Sequence, residues 1–194
     1  MKKNLYIMSK VPFMGLSKKR LTKGIGFIKS KRLTNNNLEK IKKIFLKNKK
    51  KYFLQWYLTP IIKFRSYSFE FFTNCLIQQG NDIGEKIWFL VKNQKKSFIL
   101  IGSDIPGVNL HAISKSFFYL KSHDMVLGPT EDGGFWLIGF SKKKNIPYPF
   151  NNIRWSSSSA LKDLLENLNK SNVSYKLTTK LRDIDNKDDY CKNM

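Results

Sequence analysis

The sequence predicts an α/β fold, a mainly parallel central sheet flanked by helices. Three observations carry this. Apolar runs of strand length alternate with segments of helical periodicity along the chain. One run, "SFILIG" (97–102), is apolar without interruption, as a central parallel strand buried on both faces requires. Polar loops containing glycine, proline and acidic residues follow several of the strands, where open α/β sheets place their ligand crevice.

The elements follow in order. "NLYIM" (4–8) reads as a short buried strand. The loop "SKVPFMGLSKKRL" (9–21) has Pro12 and Gly15 as turn residues and four basic groups, Lys10, Lys18, Lys19 and Arg20. Over 37–47, Leu38, Ile41, Ile44 and Phe45 stand at helical spacing. "YFLQWYL" (52–58) is a second strand, stopped by Thr59-Pro60. Residues 60–78 are aromatic-rich and aperiodic, and no element is assigned to them. Asp82 is a candidate N-cap for a helix within 78–94, whose stripe is Ile83, Ile87, Leu90 and Val91. After the 97–102 strand, Leu110, Ile113, Phe117 and Leu120 mark a helix over 109–122. Strands at 124–128 and 134–140 enclose the loop "TEDGG". A serine-capped helix over 157–170 turns Leu161, Leu164, Leu165 and Leu168 inward, and a strand near 173–178 and the acidic "RDIDNKDDY" (182–190) close the chain.

A length of 194 residues suits one domain over 1–194 with its own core. The hydrophobic share of 41% argues against a disordered chain. The formal net charge is +22, from 36 Lys+Arg against 14 Asp+Glu. One reading is an anionic partner: nucleic acid, nucleotide or membrane surface. The other is coding bias. Only five of the 36 basic residues are arginine, Asn, Ile and Phe are abundant, and alanine occurs only at Ala112 and Ala160. The lysines fall in scattered clusters, and no helix-turn-helix, zinc-finger or RNP pattern accompanies them. Specific nucleic-acid binding is therefore not expected.

Cys75 and Cys191 lie far apart and lack metal-ligand spacing, which fits a reducing cytoplasm. The apolar run at the N-terminus is broken by Ser9 and Lys10, unlike a signal peptide. No apolar stretch reaches the roughly 20 residues of a membrane span. A cytoplasmic protein is the expectation. His111 and His123 stand alone, without clustered ligands. "DIDNKDDY" lacks the glycine and terminal glutamate of a calcium-binding EF-hand loop.

Three loops carry the chemistry. In the first, a glycine lets backbone approach a ligand and flanking cations neutralise phosphate, although it has neither a Walker pattern nor GxGxxG. In "GSDIPG" (102–107), Asp104 emerges just past a buried strand, where a carboxylate can ligate a hard cation bridging diphosphate oxygens; ordinary Asp-Pro-Gly turn chemistry is the bland alternative. In "GPTEDGG" (128–134), Asp132 stands beside Gly133 and Gly134, which give room for a ligand, or else form a simple Asp-Gly hairpin. Glu131 reads as a solvated neighbour. Trp155 reads as a packing anchor or as a ring at the site rim. Two carboxylates and a cationic loop together suit a metal-bound nucleoside diphosphate.

The ordered set "KVPFMG", "KKRL", "QQGNDIGEK", "LIGSDIPG", "LGPTEDGGFWLIGF", "IRWSSSS" and "RDIDNKDDY" resembles a bacterial family of small GT-A-like nucleotide-sugar transferases, long described as a domain of unknown function. Many of its members carry the names arsenosugar-biosynthesis glycosyltransferase or rSAM/selenodomain-associated transferase. Wider relatives are molybdenum-cofactor and phospholactate nucleotidyltransferases. The resemblance implies a GT-A fold, with Lys10, Gly15, Lys18 and Arg20 as the phosphate-facing loop. It implies Asp104 as metal carboxylate and Asp132 as a second acidic group of the active site. Three positions depart from the family pattern: Lys19 replaces a threonine, Lys86 an arginine and Phe135 a tyrosine.

The expectation is a glycosyltransferase that uses a nucleotide-diphospho-sugar donor, a small-molecule acceptor and Mg²⁺ or Mn²⁺ held by Asp104 and Asp132. Lys10, Lys18 and Arg20 would stabilise the leaving diphosphate. Asp132 is open to two roles, metal ligand or base toward an acceptor hydroxyl. Gly133, Gly134 and Trp155 would lie near donor or acceptor. The alternative is nucleotidyl transfer from a nucleoside triphosphate to a phosphorylated acceptor, releasing pyrophosphate.

Overall fold

The computed structural model describes residues 2–10, 19–59, 74–143, 145–182 and 191. Strand β1 (Lys3–Lys10) leads to helices α1 (Lys19–Ile25) and α2 (Phe27–Leu46), then to β2 (Tyr52–Thr59) and β3 (Cys75–Ile77). Next come α3 (Ile83–Asn93), β4 (Phe98–Gly102), α4 (Leu110–Tyr119), β5 (Met125–Pro129) and β6 (Phe135–Phe140). Helix α5 (Ala160–Lys170) and strand β7 (Tyr175–Leu177) follow.

The seven strands form one sheet in the order β3-β2-β1-β4-β6-β5-β7. The pairs β1/β2, β1/β4, β2/β3 and β5/β7 are parallel, while β6 runs antiparallel to both β4 and β5. The predicted mainly parallel α/β sheet is therefore present. The loop 130–134 joins β5 to its antiparallel neighbour β6, so "TEDGG" is a hairpin.

Period-two alternation divides the core between the faces of the sheet. Leu5 and Ile7 of β1 join Ile99 and Ile101 of β4 beneath α2 and α4. Tyr6, Tyr57 and Leu100 face the other way, onto Ile87 and Leu90 of α3 and Leu164 and Leu168 of α5. The central strand β4 is buried on both faces, as its unbroken apolar sequence requires.

Two predicted elements differ in extent. The helix expected over 37–47 begins ten residues earlier, at Phe27, and α1 precedes it within what reads as loop to residue 21. Gly26, at φ 80°, separates the two helices. The first half of α2 buries Ser30, Thr34 and Asn37, a polar face that hydrophobic periodicity cannot register. The short strand β3 lies at the end of the unassigned segment. The rest of that segment, residues 60–73, lies outside the described residues, as does most of the acidic tail.

Candidate active site

At the switch point of the sheet, β1 sits between β2 and β4, and connections leave the two sides in opposite directions. Such a point opens a crevice at the carboxyl ends of the strands. A cavity of about 870 Å³ lies there. Met8, Ser9 and Lys10 reach it from β1, Thr59 from β2, and Gly102, Ser103 and Asp104 from the end of β4. The start of α3 supplies Asn81, Asp82 and Lys86, and Trp136 and Trp155 add to the wall.

The floor is fixed by hydrogen bonds across strand ends. Ser103 Oγ donates to Ser9 Oγ at 3.0 Å, and Ser103 N donates to the Met8 carbonyl at 3.2 Å. Gln78 Nε2 donates to the carbonyls of Tyr57 (2.7 Å) and Ser9 (3.1 Å), tying β2 to β1. Tyr57 Oη donates to the Lys86 carbonyl at 2.7 Å, and burial pushes its phenol up to about 12, so it stays a neutral donor at physiological pH. Asp82 caps α3 as its sequence predicts, Oδ1 accepting from Glu85 N at 2.7 Å.

Of the residues singled out in the sequence, Lys10, Asp104 and Trp155 therefore meet in one cavity. Gly15 and Lys18 lie outside the described residues. The backbone of Arg20 belongs to α1, a helix and not the expected loop. Sequence reasoning passed over Ser9, Gln78, Asn81 and Ser103. Ser103 and Gln78 stood within quoted motifs. Their signal was position, directly after or between strands, and not residue type.

Asp132 stands apart from Asp104. It lines an adjoining cavity of about 470 Å³ with Gly134, Phe135, Trp155, Ser156, Ser157 and Ser158. Ile83, Phe135, Trp155 and Ser156 wall both cavities. Asp132 Oδ1 accepts from Thr130 Oγ1 at 2.5 Å and from Gly134 N at 3.1 Å, which closes the hairpin as an Asx-type turn. The turn chemistry first weighed as the bland alternative is thus present, on one oxygen of the carboxylate.

Two expectations about this loop need correction. Gly133 does not make room for a ligand. At φ 88°, a Cβ on it would lie 2.0 Å from the Ser158 carbonyl oxygen, and its own carbonyl accepts from Leu161 N at 3.0 Å. Its lack of a side chain lets the hairpin dock on the start of α5. Glu131 is not merely solvated: Oε2 accepts from Arg182 Nε at 2.7 Å and from its Nη2 at 2.5 Å. The expected serine cap of α5 also differs. Ser159 holds the N-cap position without a side-chain capping bond, and Ser157 Oγ accepts from Ser159 N instead.

Trp155 is held by packing. Its ring lies 6.0 Å from Phe150 and 6.3 Å from Phe135, and Gly84 of α3 passes so close that a Cβ there would sit 2.9 Å from it. Next to it, Arg154 grips Asp163 through two side-chain bonds of 3.0 and 2.7 Å and one from its backbone N–H.

No three His, Cys, Asp or Glu side chains converge as a metal group among the described residues. A hard cation of the Mg²⁺ type does not demand that. It is commonly held by one or two carboxylates with phosphate and water oxygens completing the shell. Asp104, at the carboxyl end of β4 in a cavity that also has Lys10 and Lys86, fits such a site.

This fold and crevice define an α/β protein with a seven-stranded, mainly parallel sheet and a cavity at the strands' carboxyl ends. The chain superposes on a Desulfovibrio desulfuricans G20 protein provisionally named a nucleotide-diphospho-sugar transferase, with TM-score 0.83, 24% identity, and coverage of 96% of this chain and 84% of that one. It also resembles the inositol-1-phosphate CTP transferase of T. maritima (TM-score 0.60, 12% identity, 97% and 91% covered). A third similar structure is molybdopterin-guanine dinucleotide biosynthesis protein A of Archaeoglobus fulgidus (TM-score 0.54, 12% identity, 99% and 100% covered). At these identities the likeness is one of fold. Residues 63–157 match the family described as "uncharacterized protein conserved in bacteria (DUF2064)", a stretch that contains both the Asp104 and the Asp132 loops. No curated protein matches the chain.

Proposed function

We propose that this chain is a transferase that uses a nucleotide-activated donor, a glycosyltransferase acting from a nucleotide-diphospho-sugar with Mg²⁺ or Mn²⁺. The observation that carries the reading is the switch-point cavity, where two carboxylates, Asp104 and the helix-capping Asp82, and two cations, Lys10 and Lys86, line the same space. Asp104 would hold the cation, whose role is to neutralise donor diphosphate. Lys10 and Lys86 would stabilise the negative charge of the departing nucleoside diphosphate, with Gly15 and Lys18 of the first loop and Arg20 of α1 proposed to complete the phosphate contacts. Asp132 is either a further ligand to the cation or the base at the acceptor. Its place in the adjoining cavity favours the second role. A cytoplasmic location belongs to the same reading; no helix among the described residues is long and apolar enough to cross a membrane.

The second reading is nucleotidyl transfer, favoured by the fold shared with a CTP transferase and a dinucleotide-biosynthesis protein. Products separate the two. A nucleoside diphosphate released from a nucleotide sugar supports the first; pyrophosphate released from a nucleoside triphosphate supports the second. Asp104→Asn keeps shape and removes charge. It should abolish the Mn²⁺-dependent part of nucleotide binding in a calorimetric titration, and undiminished binding would exclude Asp104 as the metal carboxylate.

A further inference from the structure

The second cavity differs in chemistry from the first. Among the described residues that line it there is no cation; the only charged group is Asp132. The other walls are the rings of Phe135 and Trp155 and the serines 156–158. The start of α5 also borders it, and helix starts commonly bind anions through unpaired N–H groups. Here four of the N–H groups are engaged. Ser159 N donates to Ser157 Oγ, Ala160 N to the Ser157 carbonyl, Leu161 N to the Gly133 carbonyl and Asp163 N to the Ser159 carbonyl. A phosphate entering this space would meet a carboxylate and, among the described lining residues, no cation to balance it.

We infer that the second cavity is the acceptor chamber, and that it selects a hydroxylated acceptor without a phosphate, such as a sugar glycoside or alditol. The inference rests on the donor reading above. Aromatic rings suit the C–H faces of such a molecule, and serine hydroxyls and a carboxylate suit its O–H groups. The volume, about 470 Å³, is that of an ordinary small-molecule pocket. Both bonds that close the hairpin fall on Asp132 Oδ1, which leaves Oδ2 to receive a proton. The acceptor oxygen then bonds to the donor sugar carbon and the carbon–oxygen bond to the diphosphate breaks. The nucleoside diphosphate leaves with that electron pair, and the hydroxyl proton passes to Asp132. Phe135 and Trp155, shared by both cavities, would bring acceptor and donor together. A phosphorylated acceptor, which nucleotidyl transfer needs, is disfavoured by the same wall.

Saturation-transfer NMR on the full chain tests this, with methyl glucoside and sorbitol as neutral probes and glucose 6-phosphate and sorbitol 6-phosphate as their anionic counterparts. The neutral probes should bind at least about fivefold tighter than the phosphates, the effect of roughly one unfavourable charge contact fully screened by water. Their contact should be lost in Trp155→Ala. Ser158→Lys, which adds a cation at an exposed position of the wall, should reverse the preference, and it carries the test if Trp155→Ala does not fold. Tighter binding of the phosphates by the unmodified chain would overturn the inference, as would a preference that Ser158→Lys leaves unmoved. A parallel titration with nucleoside diphosphates keeps the two ideas apart. No nucleotide binding overturns the donor reading, whereas a phosphate preference with intact nucleotide binding overturns only the acceptor class.

Discussion

Asp163 and Gly133 act on the site without touching a ligand. The side-chain bonds from Arg154, and then the bond from its backbone N–H, hold the Asp163 carboxyl down at about 2 against 3.8 for a free aspartate. A lowered folded value contributes stability that is present above the unfolded value and is lost as pH falls through the folded one. The melting temperature of wild type should therefore exceed that of Asp163→Asn near neutral pH. The gap should narrow below about pH 4 and close near pH 2; a gap independent of pH would refute the pairing. High salt should shrink it too, because the Arg154 side chain is 64% exposed. The pair anchors the backbone on both sides of Trp155 and the serines. Gly133 is argued by sterics. Gly133→Ala meets both a left-handed backbone and the Ser158 carbonyl, and should cost on the order of 2–3 kcal/mol. The midpoint of urea unfolding measures that loss, and a midpoint equal to wild type would contradict the close approach.

At the scale of elements, α3 shows how one side chain serves helix and site together. Asp82 caps its start, Glu85 reaches back to accept from Asn81 N at 2.7 Å, and Asp82 also lines the switch-point cavity. Asp82→Ala should cost about 1 kcal/mol, or about 2–4 °C in Tm for a chain of this size. Asp82→Ser keeps a capping oxygen and removes only the charge. It should restore most of the stability, so that any change in nucleotide affinity it retains reports the charge alone. This helix was legible in the sequence because its cap and its stripe agree. The first half of α2 was not, because Thr34 donates to the Ser30 carbonyl and Thr22 to Ser30 Oγ on a buried face without apolar residues. The hairpin was legible as strand, loop and strand. The reason for the first glycine of its pair was not, since Gly133 answers to a carbonyl on a segment 25 residues further along the chain. Asp104 could be located from a strand end alone, whereas the separation of Asp132 from it follows from β6 being inserted between β4 and β5, an order that sequence periodicity does not contain.

At the scale of the whole molecule, the question is what a net charge of +22 does. The Asp104 and Asp132 loops border adjoining cavities, but the described lysines are spread over other faces as well. Lys2, Lys95 and Lys96 line a shallow depression with Asn4 and Tyr6, at the start of β1 and so at the opposite end of that strand from Lys10. Lys115 and Lys121 lie over the rings of Tyr119 and Phe118 at the outer face of α4. Charge spread in this way should attract polyanions without selecting among them. At physiological salt the Debye length is about 8 Å, so charges on different faces are screened from one another. Binding to duplex DNA should accordingly fall roughly a thousandfold between about 50 and 200 mM salt, as expected for some six phosphate contacts. Nucleoside diphosphate binding engages only the few charges of one cavity and should fall by less than about tenfold over the same range. Filter binding for DNA and calorimetry for the nucleotide measure the two slopes. A DNA affinity that survives the higher salt would mean that a built nucleic-acid surface exists on this chain. Two equally steep slopes would mean that the nucleotide too is held by the general field and not by Lys10, Lys86 and the cation proposed at Asp104.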